Sequence, residues 1–190
     1  MADGMARLLD RAAIQDVMAR YAQGVDRRDW ALVRSTFHPD AHDDHGEYKG
    51  GVDGFIAWVT SRHANIAQSM HFLGNCCIEF TGPDAALVET YFIARQTYGA
   101  DNPAAMSMVA AAGLKAGAVD AEIWGRYIDV MERRNGEWRT ARRAVVFDVV
   151  SARSSNNLPM KSDWLQARRD PSDPLYDMRK RAEELGRKGW

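Results

Sequence analysis

The chain has 190 residues, of which 46% are hydrophobic and 27% charged, proportions of a folded globular domain rather than of a disordered chain. Its 25 basic and 26 acidic residues give a formal net charge of -1, which argues against a general nucleic-acid binder because such proteins carry a basic excess. No apolar run approaches the roughly 20 residues of a membrane span, and the start lacks the apolar core of a signal peptide. We therefore expect a cytoplasmic protein that binds neither nucleic acid nor membranes.

The first part of the chain shows the spacing of amphipathic helices. Apolar or small residues recur every three or four positions over Leu9–Val25, which predicts a long helix. Asp29 is a candidate N-cap for a second, short helix that runs through Phe37 and ends before Pro39. A third helix is expected around residues 55–63.

From Ser69 onward the hydrophobic period changes to two, which is typical of strands. The predicted strands cover residues 69–80, 87–98, 119–133 and 138–150. The Asn135-Gly136 pair indicates a tight hairpin between the last two strands. Residues 100–118 form a loop or a short helix, and the polar tail ends in a helix around residues 175–185.

This order of elements predicts an α+β fold in which three helices pack on one curved antiparallel sheet. The space between the two layers would form a pocket. We expect one domain over residues 1–153 and a tail over residues 154–190, which packs on the pocket mouth or on a neighbouring subunit.

The strand that begins at Ser69 places His71 on a face of mixed chemistry. One predicted face, expected to be buried, carries Met70, Phe72, Ile78 and Phe80, and the other carries His71, Leu73, Asn75, Cys77 and Glu79. The second face mixes imidazole, amide, thiol and carboxylate, as a pocket lining would, although a bulge could change this alternation. His71 is therefore a candidate general base, and the alternative is a histidine on an exposed or subunit-facing surface.

Asp26 ends the first helix on the side where the apolar stripe would continue. A carboxylate at a helix C-terminus is mildly unfavourable, which hints at a function. The run Asp26-Arg27-Arg28-Asp29 is equally consistent with a surface cluster of ion pairs.

The segment His42–His45 carries two imidazoles and two carboxylates, which are suitable metal ligands. We expect no metal there, because the segment lies in a predicted irregular loop and no remote ligand accompanies it. Cys76 and Cys77 are adjacent in sequence and show no activating context.

Other side chains could contact a substrate. One arginine of the pair Arg142-Arg143 could face the pocket and hold an anionic or oxygen-bearing group. Aromatic residues could line a cavity for an aromatic or alicyclic compound, although core packing explains most of them; they are Tyr21, Tyr48, Trp58, Trp124 and Tyr127.

Four sequence segments together resemble the SnoaL-like group of the NTF2-like superfamily. They are RAAIQD at 11–16, GVD at 24–26, MHFLGN at 70–75 and YIDVMERRNGEW at 127–138. The resemblance extends over roughly residues 8–150. It implies a cone-shaped α+β fold that is used for many unrelated activities.

The resemblance to the dehydrochlorinase and dehydratase members of this group implies a site without metal or organic cofactor. Position by position, the base falls on His71 and its orienting carboxylate on Asp26. A pocket aromatic falls near Tyr127 and a basic pocket residue near Arg143. The long 98–118 connection and the tail depart from these enzymes near the expected pocket mouth.

We therefore expect a lyase that acts on a small aromatic or alicyclic substrate, by dehydration or by release of an aldehyde from a lignin-derived aromatic diol. Tyr21, Tyr48, Trp58 and Asn75 join Tyr127 and Arg143 as expected substrate contacts. The alternatives are an isomerase, a polyketide cyclase, or a non-catalytic module such as the small subunit of a ring-hydroxylating dioxygenase. Related enzymes imply a homo-oligomer, more often a trimer than a dimer.

Overall fold

A computed structural model describes residues 2–187 of the chain. The helices are α1 (Ala2–Arg27), α2 (Trp30–Ser35), α3 (Val52–His63), α4 (Pro103–Ala112) and α5 (Pro174–Arg187). The strands are β1 (Phe37–Asp44), β2 (Lys49–Gly51), β3 (Ile66–Phe80), β4 (Ala85–Tyr98), β5 (Val119–Arg134) and β6 (Glu137–Ser154). Helices and a curled, unclosed six-stranded sheet thus occur together, which confirms the expected α+β class.

The strands are ordered β2-β1-β6-β5-β4-β3. All neighbouring pairs are antiparallel except β1 and β6, which run parallel. The sheet is therefore mixed rather than wholly antiparallel, because β1 enters it from α2 and not through a hairpin with β6.

The main core lies between α1 and the concave face of the sheet. One stripe of α1 is at most 3% exposed and consists of Ile14, Val17, Met18, Tyr21 and Val25. It packs with residues of α2, α3 and the sheet, including Val33, Phe55, Phe92 and Tyr127. This burial of an amphipathic face is the main force that holds the helix on the sheet.

Two details of β1 differ from the prediction. Phe37 begins this strand, because α2 already ends at Ser35 with Thr36 as its C-cap. Residues 42–44 also belong to the strand rather than to an irregular loop, since they pair with both β2 and β6. Pro39 fits because it lies where the β1–β6 register is irregular and no regular ladder bond is required of it.

A bulge in β3 changes the alternation expected for that strand. The register with β4 shifts between Leu73 and Cys76, so both of these side chains pack against the core. Before the bulge, Met70 and Phe72 face outward and are 67% and 65% exposed, so their predicted burial is wrong. Ile78, after the bulge, is buried as expected.

The chain separates into two compact units, residues 1–155 and 156–190. Within the second unit, the Asp173 carboxylate accepts hydrogen bonds from the backbone amides of Arg168 and Leu175, next to the start of α5. Residues 188–190 of the expected tail lie outside the described residues, and the tail's packing on a pocket mouth or a neighbouring subunit stays a prediction. Among residues 2–187, no helix is both long and apolar enough to cross a membrane.

The β5–β6 hairpin offers a test of its turn chemistry. Asn135 and Gly136 both have positive φ, at 54° and 82°, as a type I′ turn requires. We expect Gly136→Ala to lower the free energy of unfolding by about 1–2 kcal/mol, since a Cβ penalises the left-handed conformation. Urea denaturation measures this loss.

Gly82→Ala is the matched control for this substitution. A Cβ at either glycine would meet no atom within 4 Å, and only Gly136 has a positive φ. The two variants therefore differ in backbone strain and not in crowding. Equal stability losses would show that the turn conformation is not the cause.

Candidate active site

Asp26 and His71 form a close pair between the last turn of α1 and the inner face of β3. The Asp26 Oδ1 atom lies 2.7 Å from His71 Nδ1. The other oxygen, Oδ2, accepts a hydrogen bond of 2.8 Å from the backbone amide of His71. Ser69 donates its hydroxyl to Oδ1 at 3.0 Å. One carboxylate thus fixes both the strand and the imidazole of the same residue.

Asp26 reaches β3 because of how α1 and α2 meet. A Cβ at Gly24 would lie 2.7 Å from Val33 Cγ2, so glycine permits the close approach of the two helices. Arg28 turns the chain with a φ of 56°. Asp29 then caps α2 by accepting a hydrogen bond from the Leu32 amide at 3.0 Å, as predicted. Asp26 and Asp29, three residues apart, therefore have different structural roles.

The contact with Asp26 defines the tautomer of His71. Because a carboxylate only accepts hydrogen bonds, Nδ1 carries the proton, and Nε2 of the neutral ring is left with a lone pair. The His71 side chain is 7% exposed and that of Asp26 is 13% exposed. This arrangement has the geometry of a general base with an orienting carboxylate.

A row of aromatic rings continues from His71 across the concave face. The ring of Phe92 lies 6.3 Å from the imidazole and stacks on Tyr127 at 4.3 Å. Tyr127 in turn meets Tyr21 of α1 edge-on at 5.5 Å. Gly125 makes room for this row, since a Cβ there would lie 2.9 Å from Phe92 Cζ.

Arg143 lies below these rings in a buried ion pair with Asp129. Its Nε and Nη2 atoms donate to the two Asp129 oxygens at 2.7 and 2.8 Å. The guanidinium also lies 4.1 Å from the Tyr21 ring centre and 4.5 Å from that of Tyr127. Both charged side chains are at most 1% exposed, so the pair joins β5 to β6 in the interior. Among residues 2–187, Arg143 Nη1 has no hydrogen-bond partner.

Burial and the neighbouring charges shift the pKa values of this cluster in opposite directions. Burial disfavours the charged guanidinium, but the Asp129 carboxylate outweighs it and raises the pKa of Arg143. Burial also raises the pKa of Tyr21 and of Tyr127, against the opposing effect of Arg143. Both phenols therefore keep their protons at neutral pH and can act only as neutral groups.

Tyr48 and Trp58 belong to a second aromatic group near the β1–β2 turn and α3. Their rings stack at 6.0 Å, and the Tyr48 hydroxyl donates to the Gly51 carbonyl at 2.7 Å. Trp58 also lies 5.5 Å from His45. Asn75, by contrast, is exposed beside the β3 bulge, so the structure does not bring it to the other expected contacts.

Sequence reasoning missed Asp129, Phe92 and Gly125. Asp129 and Tyr127 occupy alternate positions of β5, and Asp129 is the direct register partner of Arg143. A carboxylate at an inward-facing position of a strand was therefore the sequence signal that could have indicated Asp129. The position of Phe92 over Gly125 depends on strand register, which no local pattern defines.

The histidines of the 42–45 segment separate in the structure. His42 lies on β1 and is exposed, whereas His45 lies just after the end of this strand and is partly buried. Among residues 2–187, no three His, Cys, Asp or Glu side chains lie close enough to hold a metal ion.

Comparisons with known proteins agree with this architecture. The family model described as a SnoaL-like domain matches residues 6–144. A hexachlorocyclohexane dehydrochlorinase from Novosphingobium barchaimii is similar with a TM-score of 0.68 and 20% identity, over 83% of this chain and 99% of that one. A candidate scytalone dehydratase from Novosphingobium aromaticivorans is similar with a TM-score of 0.64 and 18% identity, over 84% and 100% of the two chains.

An uncharacterised protein of Mycobacterium tuberculosis is 29% identical over 86 residues. The match covers 43% of this chain and 58% of that relative. The chain thus spans well under two thirds of the curated relatives that it matches.

The helices and the curled sheet have the same fold as these two solved structures. The chain belongs to the SnoaL-like family.

The buried ion pair offers a second test. We expect Asp129→Asn to lower the free energy of unfolding by about 3–5 kcal/mol, because it leaves the Arg143 charge buried without its partner. Thermal or urea unfolding of the purified variant measures this loss.

Asp148→Asn is the control, since Asp148 pairs with Arg126 at the surface and is 46% exposed. Exposed pairs contribute about 0–1 kcal/mol. A similar loss in both variants would contradict the structural role assigned to Asp129.

Proposed function

We propose that the protein is a cofactor-independent lyase acting on a small aromatic or alicyclic substrate, with His71 as the general base and Asp26 as the residue that orients it. The single observation that carries this proposal is the 2.7 Å contact between Asp26 Oδ1 and His71 Nδ1. It leaves Nε2 as the proton acceptor. A ligand-binding or assembly module has no need of this arrangement. The fold shared with a dehydrochlorinase supports elimination chemistry.

In this mechanism Nε2 takes a proton from carbon and the C–H electron pair becomes the new double bond. The bond to the leaving group on the neighbouring carbon breaks, and its electron pair leaves with the halide, or with a hydroxyl oxygen that takes up a proton and departs as water. A neutral imidazole removes a proton only from an activated carbon, so the substrate carries a carbonyl or an aryl group next to that C–H bond. Phe92 and Tyr127 stack on each other and are 5% and 1% exposed, so they give the site beside His71 an apolar wall that suits such a group.

The same base also serves a retro-aldol reaction. Nε2 then takes the proton of a hydroxyl group of an aromatic diol, and the O–H electron pair forms the C=O bond of the released aldehyde. The C–C bond breaks, and its electron pair stays on the carbon next to the activating group, which takes the proton back from the imidazolium. An isomerase or a polyketide cyclase would use His71 in the same way without a leaving group. Product analysis by mass spectrometry separates these outcomes, since only a lyase releases water, halide or aldehyde.

We expect His71→Gln to lower kcat by about 100- to 10,000-fold, the usual contribution of a general base. Asp26→Asn should lower kcat nearly as far, because the amide removes the negative charge that stabilises the imidazolium. KM should change little in both variants, since the lost interactions act in the transition state. The assay follows elimination from aryl and alicyclic alcohols, halides and aryl diols.

Asp29→Asn is the control for these variants. It lies three residues from Asp26, and asparagine is as good an N-cap as aspartate, so activity and stability should stay near those of the unsubstituted protein. Circular dichroism confirms the fold of each variant. Full turnover in His71→Gln would refute the proposed mechanism.

We also propose that the protein assembles into a homo-oligomer, a trimer rather than a dimer, through the convex face of its sheet. Phe72, Ile93, Trp124 and Val149 are register partners across four adjacent strands. Phe72 is 65% exposed, Trp124 47% and Val149 53%. An exposed apolar row of this length is typical of an interaction surface.

Both signs of charge border the row, with Arg95 and Glu122 on one side and Arg126 and Asp148 on the other. The two signs of charge therefore allow each copy in a trimer to place its charges against opposite charges of the next copy. We expect Trp124→Asp to reduce the mass measured by light scattering to that of a monomer. Leu9→Asp, on an exposed part of α1, should leave the mass unchanged. A monomeric unsubstituted protein would refute this assembly.

A further inference from the structure

A second imidazole–carboxylate pair lies on β1 and the turn that follows it, away from the Asp26–His71 pair. His45 Nδ1 lies 3.1 Å from Asp43 Oδ1. Asp43 is completely buried, and the His45 side chain is 17% exposed. The pair thus repeats the arrangement of a buried carboxylate that orients a partly accessible imidazole.

The alternation of β1 directs this pair inward. Ala41 and Asp43 are buried and His45 is partly buried, whereas His42 is exposed. Rings from two other elements surround His45: Phe55 of α3 at 5.2 Å and Phe147 of β6 at 6.5 Å. The contact with Asp43 uses His45 Nδ1. Among the described residues, His45 Nε2 has no hydrogen-bond partner.

Both imidazoles lie along the same part of the concave face. Phe92, which contacts His71, and Phe147, which contacts His45, are the two register partners of Gly125. Two strand spacings, about 10 Å, separate these partners. Because Gly125 has no side chain, the Phe92 ring lies across β5 between them. The two imidazoles thus lie along one strip of the concave face, on opposite sides of the Phe92 ring.

Asp43 lies next to the buried Asp129–Arg143 pair. Asp43 and Asp129 are both register partners of Arg143. Arg143 gives two hydrogen bonds to Asp129 and none to Asp43. Among the described residues, the Asp43 carboxylate is therefore hydrogen-bonded to His45 alone, and this contact fixes the direction of the imidazole.

We propose that His45, held by Asp43, is the proton donor to the leaving oxygen in the elimination that His71 begins. This inference rests on the proposed lyase function. His71 Nε2 takes the carbon-bound proton, the C–H pair becomes the double bond, and the C–O bond breaks. The oxygen takes the proton of His45 Nε2 and leaves as water. Proton exchange with solvent then restores both imidazoles.

The test uses a matched pair of substrates, 3-hydroxy-1-phenylpropan-1-one and 3-chloro-1-phenylpropan-1-one. Hydroxide needs a proton to leave, whereas chloride does not. We expect His45→Gln and His45→Phe to lower kcat for the hydroxy ketone about 100-fold or more, and to change it less than about threefold for the chloro ketone. His45→Phe keeps an aromatic ring against Phe55. Elimination of chloride therefore also shows that the site of each variant is intact.

His42→Gln is the matched control, because this histidine lies on the same strand and is exposed. It should retain both activities, and His71→Gln should lose both. Equal losses on the two substrates in the His45 variants, or no loss on either, would overturn the role of His45 while leaving that of His71 intact. If the unsubstituted protein eliminates from neither ketone, the proposed lyase function for aryl ketones is overturned. The role of His45 is then overturned as well.

Discussion

The carboxylate of Asp26 joins the end of α1 to the inner face of β3 through Ser69, the His71 amide and the His71 imidazole. The same group therefore sets the position of a strand and the direction of the His71 ring. A helix C-terminus disfavours a negative charge, so this residue is a poor choice for stability at that place. The amide and hydroxyl donors of β3 compensate for the cost. The contacts of Asp26 therefore fix both how closely the end of α1 approaches the sheet and how the His71 ring is oriented.

The interior around Arg143 contains buried charges of both signs. Arg143 contacts Asp129 and the faces of two tyrosine rings, so charge and aromatic packing stabilise each other there. Asp43 adds a second buried carboxylate beside this pair. A polar interior of this kind is costly in free energy unless its charges are paired.

The sequence patterns predicted most elements, because the helical stripe of α1, the Asp29 cap and the Asn135-Gly136 turn are local signals. The pairing of Asp26 with His71 came from their chemistry together with a family resemblance, and the geometry is consistent with it. The exposure of Met70 and Phe72 could not be predicted, since the β3 bulge depends on pairing with β4. The Asp129–Arg143 pair was missed for a related reason: register between distant strands brings the two residues together.

The tautomer of His71 is the most direct measure of the central claim. Nitrogen-15 NMR of the imidazole, assigned by comparison with His71→Gln, distinguishes the two neutral forms. The account predicts a proton on Nδ1, held by Asp26, and an unprotonated Nε2 in the active form. In Asp26→Asn this preference should weaken. A neutral ring that carries its proton on Nε2 would contradict the account, because the atom assigned as the base could not then accept a proton.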